Sequence, residues 1–339
     1  MNRYVYGVIF AAAVVTFGIY HFAQPHKIAE TLFEIPGKCA SSVMVPTIGR
    51  IHISDDIVGA GAFSLVLKGT AVDQVPPFDV AVKIGMSSRA GVDEDTRILS
   101  HLNGTESFPI YLGTTHVPCQ KGKRIYTHPV VIMELLGESV DTFARASVYK
   151  SASYRIKEAL IVGRQVLDGL KILHTELGLI MHDLYPRNVV YSRDTLNKTA
   201  KLLDFGESSP IYLDGVVMYN YLNRLYTSLR EDRREPLGPR DDIERLVYLM
   251  VYIVGSGIMP WASDDPDWLV SRKAAMKTSD VCSFLPQEIV EILEYARNGI
   301  SKAEDLPDYD RIRYLIETAL LQLPQNEDAD TLNSSRLYR

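Results

Sequence analysis

The stretch MHDLYPRNVVY, residues 181–191, decides how the rest of the chain is read. It sets an acid, Asp183, five residues ahead of an amide, Asn188, directly before an apolar run. That spacing suits phosphoryl transfer, in which a carboxylate takes a hydroxyl proton and an amide oxygen helps to hold a metal. Tyr185, two residues after the acid, stands where such loops usually carry Lys.

Working outward, KLLDFGES at 201–208 places Asp204 at the end of an apolar strand, before an aromatic and a Gly. It lies sixteen residues after Asn188, across the hairpin-like VVYSRDTLNKTAKLLD, so Asn188 and Asp204 can approach the same Mg²⁺. Far upstream, VAVK puts Lys83 at the end of a strand, seventeen residues after Val66, where an inward ammonium can meet phosphate oxygens. Before it, VGAGAFSLVLKG carries Gly59 and Gly61 between two predicted strands, allowing a tight bend over phosphates, with Ser64 where a third glycine is usual. The acid that pairs with Lys83 is expected on VDEDTRILSHL: Asp95 by the placement of its apolar residues, with Glu94 one residue away.

The organisation around these residues changes period at Gly137. RIHISDDIV, SLVLKGTAV, FDVAVKIG and RIYTHPVVIMEL read as short antiparallel strands. Beyond it, SYRIKEALIVGRQVLDGLKILH has a helical apolar stripe, and IERLVYLMVYIVGSG is apolar nearly all round, as a buried helix is. The expectation is an α+β chain in which a small β-rich lobe, 49–136, precedes a larger helical lobe, 137–323, with a connector at 24–48 and a polar tail at 324–339.

Lys83, Asp183, Asn188 and Asp204 stand in the order and spacing of the protein-kinase signature, and the chain resembles the casein kinase 1 family in particular. MELLGESV at 133–140, PRDDIERLVYLMVY at 239–252, GSGIMPW at 255–261, LPQEIVEILEYAR at 285–297 and LPDYDRIRYLI at 306–316 carry that resemblance. It implies a bilobal kinase fold binding ATP and Mg²⁺ and acting on Ser or Thr of protein substrates, acidic or phosphorylated ones in this family. It also implies that Met133 is the gatekeeper, that the Glu134 carbonyl and Leu136 amide read the adenine edge, and that Val66, Ala81 and Val190 sandwich the ring. Asp242 would hold the catalytic loop, and Phe205 and Met181 would join the apolar spine between the lobes.

Departures from the pattern are concentrated in the opening stretch. Met181 and His182 replace the usual His and Arg, which removes the docking point for a phosphorylated activation loop. Arg187 is expected to supply the charge missing at Tyr185, since tyrosine kinases have a similar DLAARN loop with Arg in that place. The family's anion pocket has Leu225 where Arg is usual, with Arg224, Arg230, Arg233, Arg234, Arg272 and Lys273 nearby in sequence to rebuild it. Two other readings stay open. One is a pseudokinase scaffold; the other is a small-molecule kinase, because HDLYPRN is similar to the HGDL-type loops of sugar and aminoglycoside kinases.

Composition limits the partners. A formal charge of -6 argues against nucleic acid, whose phosphates call for basic surfaces. Cys39, Cys119 and Cys282, odd in number and widely spaced, read as thiols rather than as a disulfide framework or metal cluster. Residues 4–23, YVYGVIFAAAVVTFGIYHFA, approach the ~20 apolar residues that cross a bilayer. They are expected to be a membrane anchor of undetermined orientation, or else a cleaved signal leaving a secreted or lumenal protein. Asn103-Gly-Thr, Asn197-Lys-Thr and Asn333-Ser-Ser would be glycan acceptors only on the lumenal side.

Overall fold

The computed structural model describes residues 38–61, 63–86, 91–211 and 224–324. Its first part is a seven-stranded antiparallel sheet in the order β1-β6-β7-β5-β4-β3-β2. The strands are β1 Lys38–Cys39, β2 Ser42–Val45, β3 Gly49–Ala60, β4 Ser64–Ala71, β5 Phe78–Gly85, β6 Tyr111–Lys121 and β7 Arg124–Glu134. Helix α1, Val92–His101, lies between β5 and β6 in the chain. β5 is nearly all buried because the sheet covers it on both edges and both its faces are packed.

One face of the sheet encloses its own apolar core, built from Val43, Val45, Ile51, Val80, Val82, Val117, Val130 and Ile132 among others. The sheet curls far enough for its outer part to meet β6. Gly113 has a φ of +144°, and a Cβ there would lie 2.4 Å from Val45 Cγ1. The opposite face, with Ala81, Val131 and Met133, joins α1 and the second lobe in the main core.

Two expectations fail here. Residues 38–45, read as connector, form β1 and β2, with Val43 and Val45 buried. They are too short for their alternation to stand out among flanking Pro and Gly. Pairing of β1 with β6 also sets Cys39 opposite Cys119, and the two form a disulfide; only Cys282 is a free thiol. Eighty residues separate the bonded cysteines, so their spacing carried no sign of a register that strand pairing creates. β6 itself was not anticipated, because YLGTTHVPCQK is mostly polar and contains Gly and Pro.

The chain crosses between lobes through residues 135–139, after which Ser139 caps α2, Val140–Ala146. Helix α3, Ala152–Glu176, is capped by Ser151. Short strands β8 Leu179–Ile180, β9 Val189–Tyr191, β10 Ala200–Leu202 and β11 Ser209–Pro210 pair as β8 with β11 and β9 with β10. Then come α4 Leu229–Arg233, α5 Pro239–Val254, α6 Pro266–Ala275, α7 Thr278–Val281, α8 Gln287–Glu294 and α9 Tyr309–Gln322. All sixteen residues of α5 are buried, and it packs against α3 as the axis of this lobe. The apolar segment 4–23 and the tail 325–339 lie outside the described residues. Among those described, no helix is long and apolar enough to cross a membrane.

Candidate active site

The cleft between the lobes is built first from β4, β5 and α1. Val66 of β4 pairs with Lys83 of β5, which turns the Lys83 side chain into the main core rather than to water. Its Nζ donates to Asp95 Oδ2 at 2.5 Å and to Asp204 Oδ1 at 2.9 Å. Burial alone would lower the Lys83 pKa, but the charges of Asp95 and Asp204 outweigh it and raise it, so the ammonium keeps its proton.

Asp95 reaches Lys83 despite its short side chain because α1 starts very close to the Asp-Phe-Gly turn. Gly91, at φ +64°, precedes the helix, and a Cβ on it would lie 2.5 Å from the Gly206 Cα. Two glycines therefore permit an approach that any side chain would prevent. Asp95 Oδ1 then accepts the Phe205 amide at 2.9 Å, tying helix to turn. Glu94 instead faces outward and binds Arg97.

The catalytic loop hangs from α5. Asp242 accepts the amides of Met181 at 2.6 Å and His182 at 3.2 Å, and His174 Nε2 lies 3.0 Å away. Burial would raise the Asp242 pKa, but the His174 hydrogen bond and the Arg245 charge hold its carboxyl well below the usual range. These bonds support a backbone in which His182 has a φ of +61°, a left-handed conformation costly for residues with side chains; Asp204 has the same φ. Met181 and Phe205 are both fully buried in the main core.

Asp183 Oδ2 accepts the Asn188 Nδ2 at 2.8 Å, and the same amide reaches the Asp183 carbonyl at 3.0 Å. The loop is thus folded so that acid and amide touch through Nδ2, while the Asn188 backbone carbonyl accepts the Leu203 amide at 2.8 Å. Burial, then the charges of Asp204 and Glu207, push the Asp183 carboxyl up to about 6.

Tyr185 carries no charge into the cleft. Its ring packs edge-on to Tyr226 at 5.0 Å, and Tyr226 in turn to Tyr252 at 5.6 Å. Arg187 donates from Nε to Asp141 Oδ2 at 3.2 Å, and its side chain is 62% exposed. Asp141 also accepts from Arg145 Nε at 3.0 Å and from the Tyr252 hydroxyl.

On the nucleotide side, Ala81 pairs with Met133 across β5 and β7, and both are buried, as is Val190 on β9. Val66 and Leu136 are half-buried. Gly59 pairs with Val66, and the Gly61 amide donates to the Ser64 carbonyl at 2.9 Å, closing the glycine hairpin with Ser64 buried. The Glu134 carboxylate accepts from Lys201 Nζ at 2.8 Å and from the Ile110 amide at 3.1 Å. Lys201 thereby ties the interlobe crossover to the strand that leads into Asp204. Sequence reading missed this role, although a Lys inside the apolar KLLDF was a usable signal.

Most of the basic residues expected to rebuild an anion pocket are used internally. Lys273 is fully buried, bonding Asp232 Oδ2 at 2.7 Å and the carbonyls of Arg224 and Thr227. Arg230 donates to the carbonyls of Ala296 and Arg297, and Arg224 pairs with Asp267. Arg272 bonds the Pro260 carbonyl and lies over Trp268. Arg233 and Arg234 are exposed.

The donor set suits a hard cation. Asp204 is partly open to the cleft, with a side chain 43% exposed, and Asn188 adds an amide oxygen. Among the described residues no three His, Cys, Asp or Glu gather into a closed cage. The open Asp204–Asn188 pair suits Mg²⁺, which takes one or two protein oxygens and completes its shell with water and phosphate. Such a cation would also offset the charge that Asp204, paired so far with Lys83, imposes on Asp183.

No family model matches the chain. Curated relatives do. A protein named "Probable casein kinase I homolog" from Encephalitozoon cuniculi is 26% identical over 286 residues, 78% of this chain and 87% of that one. "Casein kinase I homolog 3" of Schizosaccharomyces pombe is 22% identical over 80% of this chain and 62% of its own length. A "Probable serine/threonine-protein kinase" of Dictyostelium discoideum is 24% identical over 58% of this chain and 40% of its own. The match therefore spans most of the first relative but less than two thirds of the other two. Two lobes, a Lys-Asp-Asp cleft and these similarities define a protein kinase of the serine/threonine class, using ATP and Mg²⁺. Within that superfamily the chain is similar to casein kinase I homologues.

Proposed function

We propose that the chain is a casein kinase 1-like enzyme that phosphorylates Ser or Thr side chains of proteins. The observation that carries this reading is the assembled cleft: Lys83 held between Asp95 and Asp204, with Asp183 fixed by Asn188 a loop away. A chain serving only as a scaffold has no physical need to keep a half-buried Asp183 at a cost to its ionisation.

MgATP supplies the γ-phosphoryl group. Lys83 would hold its phosphate oxygens, Asp204 and Asn188 would hold Mg²⁺, and the apolar faces of Val66, Ala81, Met133 and Val190 would exclude water around the base. Asp183 orients the substrate hydroxyl and takes its proton as the new P–O bond forms and the bond to ADP breaks. Arg187, four residues after Asp183, is the cation offered to the transferring group. Reaching it means releasing or sharing Asp141, which its exposed side chain allows.

A second reading, a pseudokinase scaffold, draws on Tyr185, whose packing against Tyr226 leaves no cation at that place. Transfer from labelled MgATP to an acidic casein-type substrate and to the protein itself separates the two. Transfer abolished by Asp183→Asn supports the enzyme, whereas ATP binding without transfer by the wild type supports the scaffold.

The kinase domain is further proposed to sit at a membrane through residues 4–23, on its oxidising side. The Cys39–Cys119 disulfide supports that side, because reducing compartments keep such thiols free. Mass analysis of non-reduced peptides from protein made in its own cells tests it: free thiols at both positions would put the domain on the reducing side.

A further inference from the structure

The arginine that usually precedes the catalytic acid is His182 here, yet a different arginine lies beneath the same loop. Arg245, on α5, is 1% exposed. Its Nη1 donates to Asp242 Oδ1 at 2.8 Å, and its Nη2 donates to Glu231 on α4. The same Asp242 carboxylate receives the Met181 and His182 amides. One continuous set of charge-assisted bonds therefore runs from the catalytic loop, through α5, to α4.

α4 is fastened to α5 a second time through Ser228. Its hydroxyl donates to Asp241 Oδ1 at 2.7 Å and accepts the Glu231 amide at 3.1 Å. His182 is turned to a separate task, with Nε2 2.6 Å from Ser209 Oγ on β11. Burial and then the Arg245 charge push its pKa down to about 4, so the ring is neutral and cannot stand in for a guanidinium.

We infer that Arg245 is a positioning residue for phosphoryl transfer, supplying from α5 the cation that the catalytic loop lacks at His182 and locking that loop to α4. The inference rests on the kinase reading above. Its physical basis is that Asp242 and Glu231 are two buried carboxylates on different elements, and one planar fork satisfies both at once. A Lys in the same place offers a point charge and cannot fix two directions. Because Arg245 is part of the chain, the connection needs no phosphorylated side chain to form, and loop geometry should not depend on phosphorylation at that contact.

The test uses the full chain as wild type, Arg245→Met, Arg245→Lys, Glu231→Gln and the double variant His182→Arg with Arg245→Met. Steady-state transfer is measured alongside amide hydrogen exchange of residues 179–184. In Arg245→Met, kcat should fall about tenfold or more while KM for MgATP stays within about twofold, because the lost contact lies below the loop and away from the nucleotide. Exchange at the Met181 and His182 amides should quicken, Arg245→Lys should be intermediate, and the double variant should recover part of kcat, since His182 and Glu231 line one small cavity that a longer side chain can span. Unchanged kcat with unchanged exchange in a folded Arg245→Met protein overturns the assignment. If that variant does not fold, the same pair of results in Arg245→Lys and Glu231→Gln overturns it. A wild type that transfers nothing sinks the kinase reading, and the exchange measurement still decides whether Arg245 holds the loop.

Discussion

Two charged clusters lie on opposite sides of the catalytic loop and are built for different ends. On the nucleotide side, Lys83 is buried but meets Asp204, which keeps 43% of its side chain open. Beneath the loop, Asp242, Arg245 and Glu231 are each 5% exposed or less, and they bond one another, the backbone and the buried His174. A charge that must meet a ligand keeps unspent oxygens toward the cleft, whereas a charge that sets backbone geometry is used up inside the protein. The same division runs through the basic residues: Lys273 is structural, while Arg187 holds Asp141 by one nitrogen and stays exposed.

The sharpest way to separate the clusters is Asp183→Asn. Losing the general base together with the charge that orients the hydroxyl should lower kcat by about a thousandfold or more, read by labelled phosphate transfer. The same change should raise stability at neutral pH. The Asp183 carboxyl titrates near 6 in the fold against 3.8 for a free carboxyl, so the folded protein binds more protons between those values. Stability from this group therefore falls as pH rises from about 4 to 6, by roughly 1 to 3 kcal/mol, and the Asn variant escapes that loss. Denaturant melts at pH 7 check it; a less stable variant would mean that Asp183 is held by more than Asn188.

Lys83→Met breaks the cluster on the nucleotide side, with an expected loss of about a hundredfold in kcat/KM. It also leaves Asp95 buried without its cation, so unfolding should come at lower denaturant, by about 3 kcal/mol. Activity lost without any loss of stability would show that Asp95 finds another partner.

Arg187→Ala is a smaller step, about ten- to a hundredfold in kcat, because an exposed side chain must move to act. An unchanged kcat would assign Arg187 to Asp141 alone. The mildest effect is on pH: kcat/KM should decline on the acid side with a limb at or somewhat below 6, since Asp183 must be ionised to take a proton and bound Mg²⁺ would relieve the charge of Asp204. A limb near the free-carboxyl value would mean that burial of Asp183 is relieved in the working complex.

Much of this was legible along the chain. Lys83, Asp183, Asn188 and Asp204 stand at spacings that loops and hairpins must respect, and apolar periodicity marked α1, α3 and α5 within a few residues. The edge strands β1 and β2 were not legible, because two to four residues carry no period. Nor was Arg245: in PRDDIERLVYLMVY it looks like a polar interruption of an apolar helix, and its partner Glu231 lies fourteen residues away on another element.

The sequence by itself determined the catalytic groups and their order, because local spacing along a covalent chain limits which side chains can share a turn. Tertiary structure decided the partnerships. It chose Asp95 over Glu94 through the close approach of Gly91 to Gly206, joined Cys39 to Cys119 through strand register, and placed Arg245 under His182 through burial of α5. Each of these depends on the register and packing of elements distant in the chain, which residue spacing does not encode.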